Sequence, residues 1–239
     1  MMKVIVKKEL SASLHAPFTY ATLALLAWSA GLIYWFSNIN IFYRGEVSLE
    51  SLFQTFECSL LLLVPLLTMK SIARERETGT LDLLFSKPVK TWEIIGGKYF
   101  AILLQAAFFL AITSIYYLTV SLLSEVDHAI GMCGYVGLLL LASCYISIGM
   151  FASSLTRKPL IALPVAFLLL CSLQFLFRVI ADLSEGTLLS SFSRFLSADE
   201  HFKNISRGII DTRDLIYFCS ITTLFLALTR HYTLRSKTR

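Results

Sequence analysis

Charged side chains are missing from long stretches of this chain, and those stretches define its elements. No Asp, Glu, Lys or Arg occurs at 10–43, 99–124, 128–156, 159–177 or 215–229. A helix that crosses a bilayer needs about 20 mostly apolar residues. The pattern predicts six such spans, at about 18–37, 52–71, 99–123, 131–154, 160–180 and 212–230. The second requires Glu57 to lie inside the apolar run, and the last requires Asp211, Asp214 and Arg230 to reach the interfaces. The first apolar run is too long for the core of a cleaved signal peptide, so it reads as a retained helix.

The segments between the spans also carry pattern. Residues 1–16 form a short amphipathic lead whose lysines, Lys7 and Lys8 among them, suit an anionic membrane surface. Pro17 then opens the first span, as proline does at a helix start. On the stretch 182–211, Leu188, Leu189, Phe192, Phe195 and Leu196 recur at helical spacing. Phe202, Ile205, Ile209 and Ile210 make a second stripe. Two short interfacial helices are expected there, with Asp211 as N-cap of the last span. Pro65 and Pro164 fall inside spans two and five, where each removes a backbone hydrogen bond and permits a bend.

Composition agrees with a polytopic all-α membrane protein. Of 239 residues, 56% are hydrophobic and 15% charged, against roughly 25% charged in soluble domains. The charge distribution sets the orientation. With the N-terminus in the cytoplasm, 15 of the 21 Lys and Arg residues fall on cytoplasmic segments, as the positive-inside rule demands. Both termini are then cytoplasmic, with 70–98 an inner loop and 182–211 an outer loop of a single domain, 1–239. The net charge of +5 is accounted for by that topology and calls for no nucleic acid. The five cysteines lie in or beside spans and never as C-x-x-C, which suits buried apolar packing better than disulfides or metal.

Catalytic and metal-binding patterns do not emerge. Gly96-Gly97-Lys98-Tyr99 comes nearest to a P-loop, but Trp92 occupies the first glycine position and Tyr99 the hydroxyl position. The four histidines are isolated, and no G-x-S-x-G occurs. The expectation is a non-catalytic chain with no metal and no cofactor of its own. Glu57 and Arg178 are the ionisable groups inside spans. They are either a pair lining a substrate path or two side chains reaching for the outer headgroups. Gln105 and Gln174 can bond between helices.

The inner loop is the informative stretch. After Pro65 the sequence predicts that span two continues as a charged helix to Thr78, with Gly79 supplying the terminal turn. Thr80 caps a new short helix whose Leu81, Leu83, Leu84 and Phe85 are apolar and whose Asp82 suits the first turn. Pro88 stops it, and Thr91 with Glu93 starts the helix that becomes span three. An apolar knob held off the membrane face needs something to bury against.

These residues resemble a known family. Glu75-Arg76-Glu77-Thr78-Gly79-Thr80-Leu81-Asp82-Leu83-Leu84, followed by Ser86-Lys87-Pro88-Val89 and Gly97-Lys98, is similar to the signature of ABC-2 type transporter permeases. Pro65-Leu66-Leu67-Thr68-Met69-Lys70 and Ser206–Leu215 resemble the gliding-motility-associated permease subfamily of bacterial ABC transporters. The resemblance implies a transmembrane subunit in the bacterial inner membrane. It pairs with a second permease, as homo- or heterodimer, and docks on cytoplasmic ATPase subunits that hold the ATP and magnesium. It also implies a coupling helix to which Glu75, Glu77, Gly79, Thr80, Leu81, Asp82, Leu83, Leu84 and Pro88 contribute. Export is the implied direction. The alternative is a non-transporting membrane anchor that recruits a cytoplasmic ATPase through the same loop.

Overall fold

The computed structural model describes residues 2–36, 49–80, 91–123, 127–183 and 188–235, and among them every regular element is a helix. In chain order these are α1 (Met2–Leu14), α2 (Pro17–Phe36), α3 (Leu49–Thr68), α4 (Ala73–Glu77), α5 (Thr91–Leu123) and α6 (His128–Leu155). Then come α7 (Pro159–Cys171), a π turn (Ser172–Leu176), α8 (Phe177–Leu183), α9 (Leu188–Leu196), α10 (Ala198–Ser206) and α11 (Thr212–Arg235).

Several boundaries follow the predicted chemistry. Proline opens α2 and α7, where its missing N–H costs nothing. The Asp127 side chain accepts from Ala129 N at 2.9 Å and caps α6. Asp211 accepts from Arg213 N at 3.1 Å and caps α11, as expected from the sequence. That backbone N–H, together with the Thr212 hydroxyl, holds the Asp211 carboxyl below its ordinary range. Gly79 and Gly208 adopt φ of +69° and +87°, the left-handed turn after a helix that favours glycine.

Among the described residues, four helical units are long and apolar enough to cross a membrane: Leu49–Glu77, Thr91–Leu122, His128–Leu155 and Pro159–Leu183. The first and last expected spans fall on α2, whose apolar part is the shorter Thr19–Tyr34, and on α11, and neither is one of these four. Both run along the bundle. Tyr116 of α5 donates to Ala27 O of α2 at 3.0 Å. On α11, Asp214 meets α10 near one end, while the Tyr232 carbonyl, near the other, accepts from Arg76. The outward faces are apolar: Leu122 is 86%, Leu160 81% and Leu183 83% exposed, a surface suited to hydrocarbon.

Helix α6 sits at the centre, packed on α3, α5, α7, α10 and α11. Its close approaches depend on glycines three apart. Gly134 faces the Phe53 ring of α3, and Gly137 faces Ile205 and Phe202 of α10. Small residues let helix backbones come near enough for dispersion and hydrogen bonds to hold them in lipid. Around this seam Phe53, Phe56, Phe109, Tyr145, Phe202 and Phe218 are fully buried.

Three sequence expectations are corrected. Span two does not continue unbroken to Thr78: α3 ends at Thr68, and residues 69–72 form a turn before α4. The cause lies far away in sequence. Ser153 Oγ of α6 accepts from Ile72 N at 3.2 Å and Ala73 N at 3.0 Å, and it donates to Met69 O at 3.2 Å. A buried hydroxyl thus satisfies the backbone groups that the break sets loose. Span five is likewise not a regular α-helix, because the π turn interrupts it about two turns after Pro164. In the second outer stripe, Phe202 and Ile205 are buried on α10, but Ile209 and Ile210 lie past its end and are exposed. Of the first stripe, α9 carries all five residues; the side chains of Leu188, Leu189 and Phe192 lie outside the described set.

Candidate functional site

Helices α1 and α4, the first turns of α5 and the last turns of α6 and α11 meet at one end of the bundle. Lys98 is the centre of this end. Its ammonium lies 2.7 Å from Glu75 Oε1 and 3.0 Å from Glu9 Oε1, and its side chain is only 4% exposed. One buried cation therefore ties α1, α4 and α5 together. A buried ion pair contributes net stability only when well satisfied, but losing one partner leaves an uncompensated charge. Arg76 of α4 donates to Ser154 O of α6 and, at 3.5 Å, to Tyr232 O of α11. Arg230 stands 5.1 Å from the centroid of Trp92, which joins α11 to the start of α5.

The residues expected in the coupling segment divide. Glu75 is half-buried and engaged by Lys98, so its carboxylate faces inward as a brace. Glu77, Thr78 and Gly79 are exposed. Thr78 Oγ1 donates to Arg74 O at 2.9 Å and lies 2.9 Å from Thr80 Oγ1, which closes the end of α4. Leu81, Asp82, Leu83, Leu84 and Pro88 lie outside the described residues. Their two flanks, α4 and the start of α5, are the elements that Lys98 links.

The bundle interior holds a second polar cluster. Glu57 of α3 is 3% exposed and accepts from Gln174 Nε2 on the π turn. Gln174 Oε1 in turn accepts from Tyr145 Oη of α6 at 2.6 Å. The π turn carries Gln174 inward toward both partners. Glu57 is not bonded to Arg178. The Arg178 guanidinium instead donates to Asp199 Oδ2 of α10 at 3.1 Å, and Lys203 reaches the same oxygen at 2.6 Å. The two sequence candidates thus sit in adjoining networks, joined to different partners. Tyr145→Phe removes one buried hydrogen bond while leaving the ring, and should cost about 1 kcal/mol. A small drop in the thermal midpoint of the detergent-purified protein checks it.

A third cluster fixes the opposite end. His201 Nδ1 lies 2.6 Å from Asp214 Oδ1, and Nε2 faces Phe195 O at 2.9 Å. A carbonyl oxygen only accepts, so Nε2 carries a proton. The ring stacks on Tyr217 at a centroid distance of 4.0 Å, and Tyr217 Oη donates to Leu196 O at 2.7 Å. This joins α9, α10 and α11. Among the described residues, no three His, Cys, Asp or Glu side chains gather as metal ligands would.

Sequence reasoning missed the Lys98 hub, Asp199, Tyr145 and the His201–Asp214 pair. Of these only Lys98 left a trace, whereas Gln174 is one of the residues expected to bond between helices. Lys98 follows two glycines at the mouth of a span, and Gln174 is a polar residue within an apolar run.

The comparisons with known proteins fit this helical, lipid-facing bundle with a charged, braced end. The family profile described as ABC-2 family transporter protein matches residues 4–234. The chain belongs to that family. No curated protein matches it. ABC-2 permeases are membrane components of transporters, generally non-catalytic, and typically pair with an ATPase subunit. In this ABC-2 family member, the stretch Glu75–Leu84 that resembles the family signature begins on α4, within the braced end.

Proposed function

We propose that the chain is the permease subunit of an ATP-binding cassette transporter, and that the end built around Lys98 receives the work of separate ATPase subunits. The observation that carries this reading is the clasp between Lys98, Glu75 and Glu9. The segment 81–90 is flanked by α4 and α5. Force on it would pass into both stalks and into α1 as one unit rather than dissipate in a loop. Arg76 and the Arg230–Trp92 contact extend that unit to α6 and α11.

In this reading six helices cross the bacterial inner membrane, α2 and α11 included, with both termini cytoplasmic. Residues 80–88 form the coupling helix, with Leu81, Leu83 and Leu84 filling an apolar groove on the ATPase and Asp82 and Pro88 shaping the turn. ATP and magnesium reside on that partner. A second permease, identical or related, completes the path, and substrate moves outward. Glu57 with Gln174 and Tyr145 lines the interior polar route. The similarity of 65–70 and 206–215 to gliding-motility permeases supports a place in that subfamily.

Leu84→Asp tests the docking. Burial of a leucine at an interface hot spot is worth about 2 kcal/mol, so the variant should lose the ATPase by more than about tenfold. Co-purification from membranes measures it, with unchanged insertion of the permease as the control. An unaltered yield of ATPase with the Leu84→Asp protein would overturn the coupling assignment.

A further inference from the structure

His201 of α10 has an acceptor against each of its ring nitrogens. Nε2 lies 2.9 Å from the Phe195 carbonyl of α9, and Nδ1 lies 2.6 Å from Asp214 Oδ1 of α11. The carbonyl claims the Nε2 proton, so a bond at Nδ1 needs a second proton. Imidazole is more basic than a carboxylate, which places that proton on Nδ1. Without it, a nitrogen lone pair would face an anionic oxygen. We propose that His201 and Asp214 form a proton-binding latch: the proton on Nδ1 holds α9, α10 and α11 together, and its loss releases them.

The latch is enclosed and takes one proton only. The His201 side chain is 9% and that of Asp214 3% exposed, so water is poorly placed to substitute for either partner. Asp214 Oδ2 is buried with no hydrogen-bond partner among the described residues, so a further proton on it would find no acceptor. Tyr217 stacks on the ring at 4.0 Å, and Phe195 and Phe218 stand edge-on at 5.8 and 6.5 Å.

The surrounding ionisable groups are occupied or turned away. α10 packs on α3, α6, the π turn, α9 and α11. Glu57 of α3 bonds to Gln174, and Glu50 pairs with Arg207. On α6, His128 meets Tyr117, Tyr145 meets Gln174, and Cys144 is a buried thiol. On α10 itself, Asp199 is shared by Arg178 and Lys203, while Glu200 is the adjacent residue and faces another side of the helix. Asp211 caps α11, and Arg213 of α11 and Arg194 of α9 are exposed. Among the described residues, Asp214 is thus the carboxylate that His201 answers to.

The direction follows from counting protons. In alkaline solution an opened imidazole and carboxylate hold no shared proton, whereas the closed latch holds one. Opening then releases a proton, and its equilibrium constant rises about tenfold per pH unit. In mildly acid solution an open histidine is itself charged, so that dependence disappears and the latch is firmest. In the proposed orientation this end faces the outside medium, which would supply the proton. The latch itself does not depend on the transport assignment.

Hydrogen exchange of the full chain in detergent, read by mass spectrometry over 195–218 from about pH 6 to 9, tests it. The comparison is Asp214→Asn. Its amide can turn oxygen or NH2 toward the ring and so bonds to either form of the imidazole. The ratio of exchange in the natural protein to that in the variant cancels the intrinsic effect of pH. That ratio should rise about tenfold per pH unit over part of the range. A ratio that stays constant throughout would overturn the proposal. Nitrogen NMR of histidine-labelled protein reads the proton directly, with the His201 signals assigned by their loss in His201→Gln. Both ring nitrogens should be protonated wherever 195–218 is protected, and Nδ1 should lose its proton as exchange begins. An unprotonated Nδ1 in a segment that remains protected would refute the latch even if Asp214→Asn fails to fold.

Discussion

Lys98→Met should destabilise the fold by about 3–5 kcal/mol, the usual cost of leaving a buried carboxylate without its cation. Glu75 dominates the loss, since its side chain is 17% exposed against 33% for Glu9. Methionine keeps most of the apolar stem, so the charge rather than the volume is tested. The measurement is thermal unfolding in detergent alongside protease access to α1, which should detach in the variant. The triple change Lys98→Met, Glu75→Gln and Glu9→Gln removes all three charges and should recover much of the deficit. Unchanged stability of Lys98→Met would mean that the end of the bundle is not held by this ion pair, and the force-transmission argument would fall with it.

The second large effect lies at the central seam. A Cβ added at Gly134 would overlap the ring of Phe53, a fully buried side chain that also packs edge-on against Tyr135 at 5.8 Å. The ring has nowhere to go. Gly134→Leu should therefore cost about 3 kcal/mol, the upper part of the usual range for overpacking, and should separate α3 from α6. Phe53→Leu loses contact area on its own. Combined with Gly134→Ala it should lose less than the sum of the two single changes, because the smaller side chain gives the new methyl room. A thermal-midpoint cycle over the four proteins measures the coupling. Strict additivity would show that the two helices do not meet at this point as described.

The first turns and last turns of the helices were legible in the sequence because their chemistry is local. Pro17, Asp211 and Gly79 each act within four residues of their own position, and each does what its type dictates. The apolar spans were legible for a related reason, since the solvent imposes one rule along their whole length. The turn at 69–72 was not legible, because it is satisfied by a serine some 80 positions further on. Glu57 was visible as an oddity within an apolar run, but its partner Gln174 is 117 positions away. Lys98 read as one more basic residue beside a span. Its role emerges only when Glu9, 89 positions earlier, and Glu75, 23 positions earlier, are brought together on it.

The five-residue π turn at Ser172–Leu176 inserts one extra residue into the rod that runs from Pro159 to Leu183. Each residue advances an α-helix by about 100°, so everything beyond the turn is dialled round by that angle relative to a regular rod. Below it, the rod presents Ala162, Ala166 and Leu170 to its neighbours; at the turn, Gln174 finds Glu57; above it, Arg178 finds Asp199. Deleting a single residue there would keep the rod's hydrophobicity and nearly all its length. It would break the phase between its two halves, so that only one set of neighbours could be met at a time.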